Sequence, residues 1–150
     1  MKIPYINSLS LMVVFSVACG PSFAETSEET VEPLVLQKIM RDMGRNMQLI
    51  VDGISREDWK QVEKNALLVA DHPQPPLSEK VRIMAFAGTN ISKFKTHDGK
   101  THDAARTLAE SAAREDGYAI IADFATLQNN CLMCHQRFRE SFVEHFYAED

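Results

Sequence analysis

The chain has 150 residues, of which 16 are basic and 21 acidic, so its formal net charge at pH 7 is −5. A chain of this length fits one domain with a core of reasonable size. A mildly acidic chain without a basic patch lacks the electrostatic footprint of a nucleic-acid-binding protein, and we exclude that class of function.

The first 24 residues have the plan of a secretory signal peptide. Lys2 is the basic start, residues 9–18 form an apolar run broken by two serines, and Ser22-Phe23-Ala24 is a small-x-small cleavage site. The apolar run is too short to span a bilayer. We expect cleavage after Ala24, a soluble mature domain over residues 25–150, and a location outside the cytoplasm. The alternative is that Cys19 is lipidated, which would anchor the protein to a membrane.

The first predicted helix follows an acidic leader. Its apolar side chains recur at steps of three and four, the spacing of an amphipathic helix, at Leu36, Met40, Met43, Met47, Ile50 and Ile54. Pro33 suits its first turn, and Gly53 is expected to end it. Ser55 is a suitable N-cap for a second helix, whose stripe consists of Trp59, Val62, Ala66 and Val69.

A proline-rich segment at residues 71–76 ends the second helix. Ser78 is a candidate N-cap for a third helix, with one face formed by Val81, Met84, Ile91 and Phe94. Asp98-Gly99-Lys100 marks an interruption, after which Thr101 or Asp103 can start the next helix. Small inward residues there would allow close approach to a neighbour: Ala105, Leu108, Ala109 and Ala112. We interpret His97 and His102 as solvated turn residues.

Glu115-Asp116-Gly117 is expected to turn the chain into its last and longest helix, from about Tyr118 to about Phe146. No segment shows the strict alternation or the β-branched clustering of a strand. Four main helices with short connections predict an all-α fold, an antiparallel four-helix bundle.

The last helix carries the candidate cofactor-binding residues. Cys131 and Cys134 are one helical turn apart on the same face, and His135 follows Cys131 by four residues. Cys-x-x-Cys-His is the attachment signature of c-type haem, in which two thioethers hold the ring and the imidazole reaches the iron. The cysteines share an apolar seam, so we expect them to point into the bundle; its other members are Phe124, Leu127, Phe138 and Phe142.

Two other uses of the cysteine pair fit less well. A thioredoxin-like pair would have its first cysteine at a helix N-terminus after a strand, where the helix dipole lowers the thiol pKa. A structural zinc site needs four ligands, and this one would have to borrow from His72, His97, His102 or His145. The expected cofactor is therefore one covalent haem c per chain, with its iron.

The second axial ligand of such an iron is sought on the first helix. A methionine thioether raises the reduction potential and suits electron transfer, and Met40, Met43 and Met47 lie on one inward-facing stripe. The alternative is that all three are adaptable core fillers. Spacing alone does not choose among them.

Two motifs resemble the class II c-type cytochromes, the cytochrome c-prime family. Residues 131–139 read Cys-x-x-Cys-His-x-x-Phe-Arg near the end of a four-helix chain, and residues 39–47, Ile-Met-Arg-Asp-Met-Gly-Arg-Asn-Met, resemble the family's first helix. The similarity covers residues 31–140. It implies a four-helix bundle with the haem between helices near one end, His135 as proximal ligand and Met40 at the distal position.

The resemblance also implies a function. In low-spin relatives the distal methionine binds the iron and the protein carries electrons, whereas in high-spin members the distal residue shields an open position for nitric oxide or carbon monoxide. Since the distal residue is Met40, we expect a periplasmic electron carrier rather than an enzyme, with a gas-binding haem protein as the alternative.

Relatives often dimerise through their first two helices. Residues 140–150 should prolong the last helix or cover an edge, and Arg139 either pairs with a haem propionate or stands in solvent.

Overall fold

A computed structural model describes residues 33–147, so the predicted signal peptide, the acidic leader and Cys19 lie outside the described residues. Between residues 33 and 147 the chain is all-helical and has no strand, as predicted. The helices are α1 (Leu36–Ser55), α2 (Trp59–Ala70), α3 (Leu77–Ala87), α4 (Ile91–Ala113) and α5 (Gly117–Phe146). A 3-10 turn at Gly88–Asn90 joins α3 directly to α4, so this part of the chain has four helical segments. None of its helices is long and apolar enough to cross a membrane.

Two turns of the same construction make α1/α2 and α4/α5 into helical hairpins. They are Arg56-Glu57-Asp58 and Arg114-Glu115-Asp116, and in both the glutamate has a φ of 55°. The aspartate then caps the next helix: Asp58 accepts the N–H of Gln61 at 3.0 Å, and Asp116 accepts the N–H of Ala119 at 3.1 Å. The N–H of each aspartate donates to the carbonyl five residues earlier. This is the bond pattern by which a left-handed residue ends a helix and reverses the chain.

The junction of α1 and α2 differs from the sequence prediction in two ways. The predicted N-cap Ser55 is wrong, because its hydroxyl donates to the Val51 carbonyl at 2.9 Å inside the last turn of α1. The predicted end at Gly53 is also wrong, since α1 continues to Ser55. Gly53 instead permits close approach of α2, because a Cβ at this position would lie 2.9 Å from Cγ2 of Val62.

The predicted interruption at Asp98-Gly99-Lys100 is wrong, because α4 runs through it from Ile91 to Ala113. The break lies earlier, at Gly88, whose φ of 49° is in the left-handed region that glycine adopts readily. One glycine inside a long helix costs only about 1 kcal/mol relative to alanine, so Gly99 is tolerated within α4.

The predicted face of α3 is also wrong. Val81 and Met84 are 54% and 41% exposed, whereas Ile83 is buried. Ser78 lies inside the helix, and Pro76 precedes it without a side-chain cap. The side of α3 that packs carries Ile83 and Phe86, because these side chains join the aromatic residues of α5 in one cluster.

Apolar side chains form two separate groups. The aliphatic core joins α1, α2, α4 and the first half of α5, and consists of Ile50, Val62, Ala66, Val69, Ala70, Ala104, Ala105, Leu108, Ala109, Ala112, Ile120 and Leu127. The predicted small residues of α4 are thus confirmed as buried. α1 packs closely against α2, α2 against α4, and α4 against α5, whereas α1 and α5 touch sparsely.

The aromatic cluster lies at the other end of α5 and consists of Leu34, Leu36, Ile83, Phe138, Phe142 and Phe146. Phe94 of α4 stacks on Phe142 with 5.6 Å between ring centroids, and Phe86 of α3 meets Phe142 edge-on at 5.3 Å. The expected extension of the last helix is confirmed to residue 146, and its Phe142 and Phe146 are buried. Residues 148–150 lie outside the described part.

Candidate functional site

The two cysteines of α5 lie where the apolar groups meet. Cys131 is half-buried against the aliphatic core, and Cys134 is half-buried against the aromatic cluster. Both are free thiols. Since they are one turn apart on one face, the seam predicted from sequence is present: Leu127, Phe138 and Phe142 are buried. The pair therefore faces apolar side chains on either side.

The surroundings of these thiols disfavour their ionisation. Burial raises the pKa of Cys131. Burial, with smaller contributions from the charges of Asp98 and Cys131, raises the pKa of Cys134 to about 11. Catalytic redox pairs need the opposite, a lowered pKa that yields a reactive thiolate near neutral pH. The geometry and the electrostatics therefore both disfavour a thioredoxin-like role.

His135 follows on the exposed side of α5. Partial burial, together with the positive charge of Arg139, lowers the pKa of its imidazole. The neutral ring is thereby favoured, which is the form that can bind a metal through a ring nitrogen. Arg139 itself is exposed.

The three methionines of α1 do not share one environment. Met43 and Met47 pack against the aliphatic core, as core fillers do. Met40 is 39% exposed and belongs to neither apolar group, whereas its neighbour Ile39 is buried at 5%. The prediction that all three point inward is therefore wrong for Met40. Of the three, Met40 is the methionine that does not pack against the aliphatic core.

No group of three metal-ligand side chains within residues 33–147 includes Cys131, Cys134 or His135. The histidines that a zinc site would borrow are thus not brought to the thiols. Three other side chains do form such a group: His72, Asp98 and His102. The interpretation of His97 and His102 as solvated turn residues is wrong, because both lie in α4 and are partly buried. The i, i+4 spacing of Asp98 and His102 is a signal that sequence reasoning missed.

Comparisons of the chain with family models, with curated proteins and with solved structures found no match.

Proposed function

We propose that the chain is a periplasmic electron carrier with one covalent haem c, held in an antiparallel four-helix bundle. Cys131 and Cys134 would anchor the ring through thioethers, and His135 and Met40 would be the axial ligands of the iron. The observation that carries the proposal is the position of the two thiols. They lie on one face of α5, one against each apolar group, with a histidine directly after the second.

The donor set fits a haem rather than a bare ion. A metal ion needs its ligands to converge within a few ångströms, and the two thiols and His135 do not converge in this way. A large planar group with two attachment points makes no such demand. Its apolar faces would find apolar neighbours, since Cys131 packs against the aliphatic core and Cys134 against the aromatic cluster.

When bound, the haem would supply one-electron chemistry at its iron. The chain contributes the surroundings. The aromatic cluster excludes water from one side of the attachment site, and the aliphatic core does so from the other. His135 offers a neutral ring nitrogen. Met40 offers a thioether on α1, which touches α5 only sparsely.

The exposure of Met40 also supports a second candidate function. Because core packing does not hold Met40 in place, its thioether can give way to a small ligand. A haem protein that binds nitric oxide or carbon monoxide, with Met40 as a steric gate, has this property.

Attachment is tested on protein expressed with a periplasmic haem-maturation system. The mass of the denatured chain should exceed the polypeptide mass by one haem, and Cys131→Ser/Cys134→Ser should show no added mass. A wild-type chain that carries no covalent haem would overturn the proposal.

Axial ligation is tested by the absorption spectrum of the reduced protein with and without carbon monoxide. We expect low-spin iron in the wild type, and Met40→Ala should convert it to high-spin iron that binds carbon monoxide. Met84→Ala is the matched control, because Met84 is 41% exposed and lies on α3. Rapid, complete carbon monoxide binding by the wild type would favour the gas-binding function, and an unchanged spectrum in Met40→Ala would remove Met40 from the ligands.

A further inference from the structure

A second group of ligand-type side chains joins the end of α2 to the middle of α4. His72 is buried just after α2, and its ring stacks on that of His102 with 4.7 Å between centroids and 20° between planes. Asp98 precedes His102 by one helical turn. Its Oδ1 lies 3.9 Å from Nε2 of His72, and its Oδ2 lies 3.5 Å from Nε2 of His102. The three ligand atoms all lie within 4.8 Å of one another.

Backbone carbonyls orient both imidazoles. Nδ1 of His72 is 2.9 Å from the carbonyl oxygen of Pro73, and Nδ1 of His102 bonds to the carbonyl oxygen of Ala70. A carbonyl oxygen can only accept, so Nδ1 carries the proton in both rings. In the neutral rings Nε2 is then an acceptor with a lone pair, and both Nε2 atoms lie beside the Asp98 carboxylate. This carbonyl–histidine arrangement is the usual outer support of a metal-binding imidazole.

An ordinary hydrogen-bonded cluster does not explain the arrangement. Two neutral Nε2 atoms and a carboxylate are all acceptors, so they cannot hydrogen-bond to one another, and a cation between them would satisfy all three. If the rings were instead protonated, charge-assisted bonds of about 2.7–2.9 Å would be expected. The observed separations are 3.5 and 3.9 Å.

The separations suit a small ion. Zinc binds imidazole nitrogen at about 2.0–2.1 Å and carboxylate oxygen at about 2.0–2.2 Å, so tetrahedral ligand atoms lie about 3.3–3.5 Å apart. The pair at 3.5 Å already matches, and the pair at 3.9 Å would close by a few tenths of an ångström. The ligand nitrogens of the two histidines lie within 4.8 Å of each other, and the stacked rings would turn toward the ion to bring both lone pairs onto it. Two imidazoles with one carboxylate select borderline ions such as zinc over calcium or magnesium, which prefer oxygen ligands.

We propose that His72, Asp98 and His102 form a binding site for a divalent transition-metal ion of the zinc class. Three protein ligands leave one of four tetrahedral positions open, as in sites that exchange a water or a small ligand. The ion would link the end of α2 to α4. Asp98 also acts electrostatically on the Cys134 thiol, so the site lies close to the cysteine pair but shares no ligand with it.

The site is tested by equilibrium dialysis of the purified holoprotein against zinc, with zinc and iron per chain measured by elemental analysis. Any unattached thiols are first blocked by alkylation, so that the cysteine pair cannot bind zinc. We expect one zinc per chain. Asp98→Asn and His102→Gln should each weaken binding by more than the roughly 10–100-fold that loss of a supporting partner costs.

Matched controls separate the site from other zinc-binding surfaces. Asp103→Asn removes an 84% exposed carboxylate from the same helix, and His145→Gln removes a histidine outside the group. Both should bind zinc as the wild type does, and zinc should raise the Tm of these controls but not of Asp98→Asn. Equal binding by Asp98→Asn and wild type, or no bound zinc in the wild type, would overturn the proposal. The iron content reports separately on the proposed haem.

Discussion

The two apolar groups of this protein are built differently. The aliphatic core consists of alanines and branched side chains from four helices, and several of them have no exposed surface at all, among them Ile50, Leu108 and Leu127. In the aromatic cluster every buried side chain keeps 3–9% of its surface exposed, and its rings meet edge-on, stacked or tilted. α5 runs through both groups, and its two cysteines lie where one gives way to the other. The difference indicates that the aliphatic core holds the fold together, whereas the aromatic cluster shapes the surroundings of Cys134.

The largest stability effect should come from the aliphatic core. Leu108 has 0% of its surface exposed, so Leu108→Ala should lower the free energy of unfolding by about 2–5 kcal/mol through lost burial and a residual cavity. Urea denaturation monitored by circular dichroism measures this loss. The control is Leu68→Ala, the same change at a side chain that is 48% exposed, where we expect less than about 0.5 kcal/mol. Equal losses in the two variants would contradict the assignment of this core.

A smaller loss of stability should follow when a side chain is added at the close contact between α1 and α2. The Cβ of Gly53→Ala would lie 2.9 Å from Cγ2 of Val62 and 3.2 Å from the Asp58 carbonyl oxygen. We expect overpacking to cost about 1–3 kcal/mol. Gly44→Ala is the matched control on the same helix, because its Cβ would meet nothing within 4 Å. This alanine should raise the free energy of unfolding by up to about 1 kcal/mol. Thermal unfolding of both variants gives the sign, and a stabilised Gly53→Ala would show that the helices are less close.

The smallest effect should come from the aromatic cluster, and it should have a different signature. Phe138 meets Phe94 edge-on with 5.4 Å between centroids, so Phe138→Leu should cost about 0.5–1.5 kcal/mol, the usual worth of an aromatic pair. Under the proposed function it should also shift the visible spectrum, because Cys134 packs in the same cluster. Leu108→Ala should lose more stability yet leave the spectrum of the folded protein unchanged. If Leu108→Ala shifted the spectrum and Phe138→Leu did not, the division of roles between the two groups would be wrong.

Local patterns predicted those parts of the fold that depend on neighbours in sequence. The small face of α4 and the apolar seam of α5 follow from helical periodicity, because side chains three and four residues apart share a face. The spacing of Cys131 and Cys134 is local in the same sense, which is why their common face was predicted correctly, whereas His135 lies on the exposed side of α5.

The parts that sequence reasoning missed depend on competition or on distant contacts. Ser55 and Asp58 are both suitable N-caps, and the backbone reversal at Glu57 decides for Asp58. Gly88 and Gly99 are both suitable breaks, and of the two only Gly88 takes a positive φ. His72 contacts His102 of α4, which lies about 30 positions later in the sequence, and no local pattern predicts such a contact.

The paired Arg-Glu-Asp turns have a consequence for the order of folding. Each closes a helical hairpin through a connection of three residues, and short closures with local contacts form quickly. The hairpins α1/α2 and α4/α5 can therefore form early, whereas α2 must find α4 across residues 71–90. Met40 belongs to the first hairpin and His135 to the second. His72 follows α2 of the first hairpin and meets Asp98 and His102 of the second. Both proposed sites would thus be completed only when the hairpins dock, so ligand binding in a refolding experiment would report the last step of assembly.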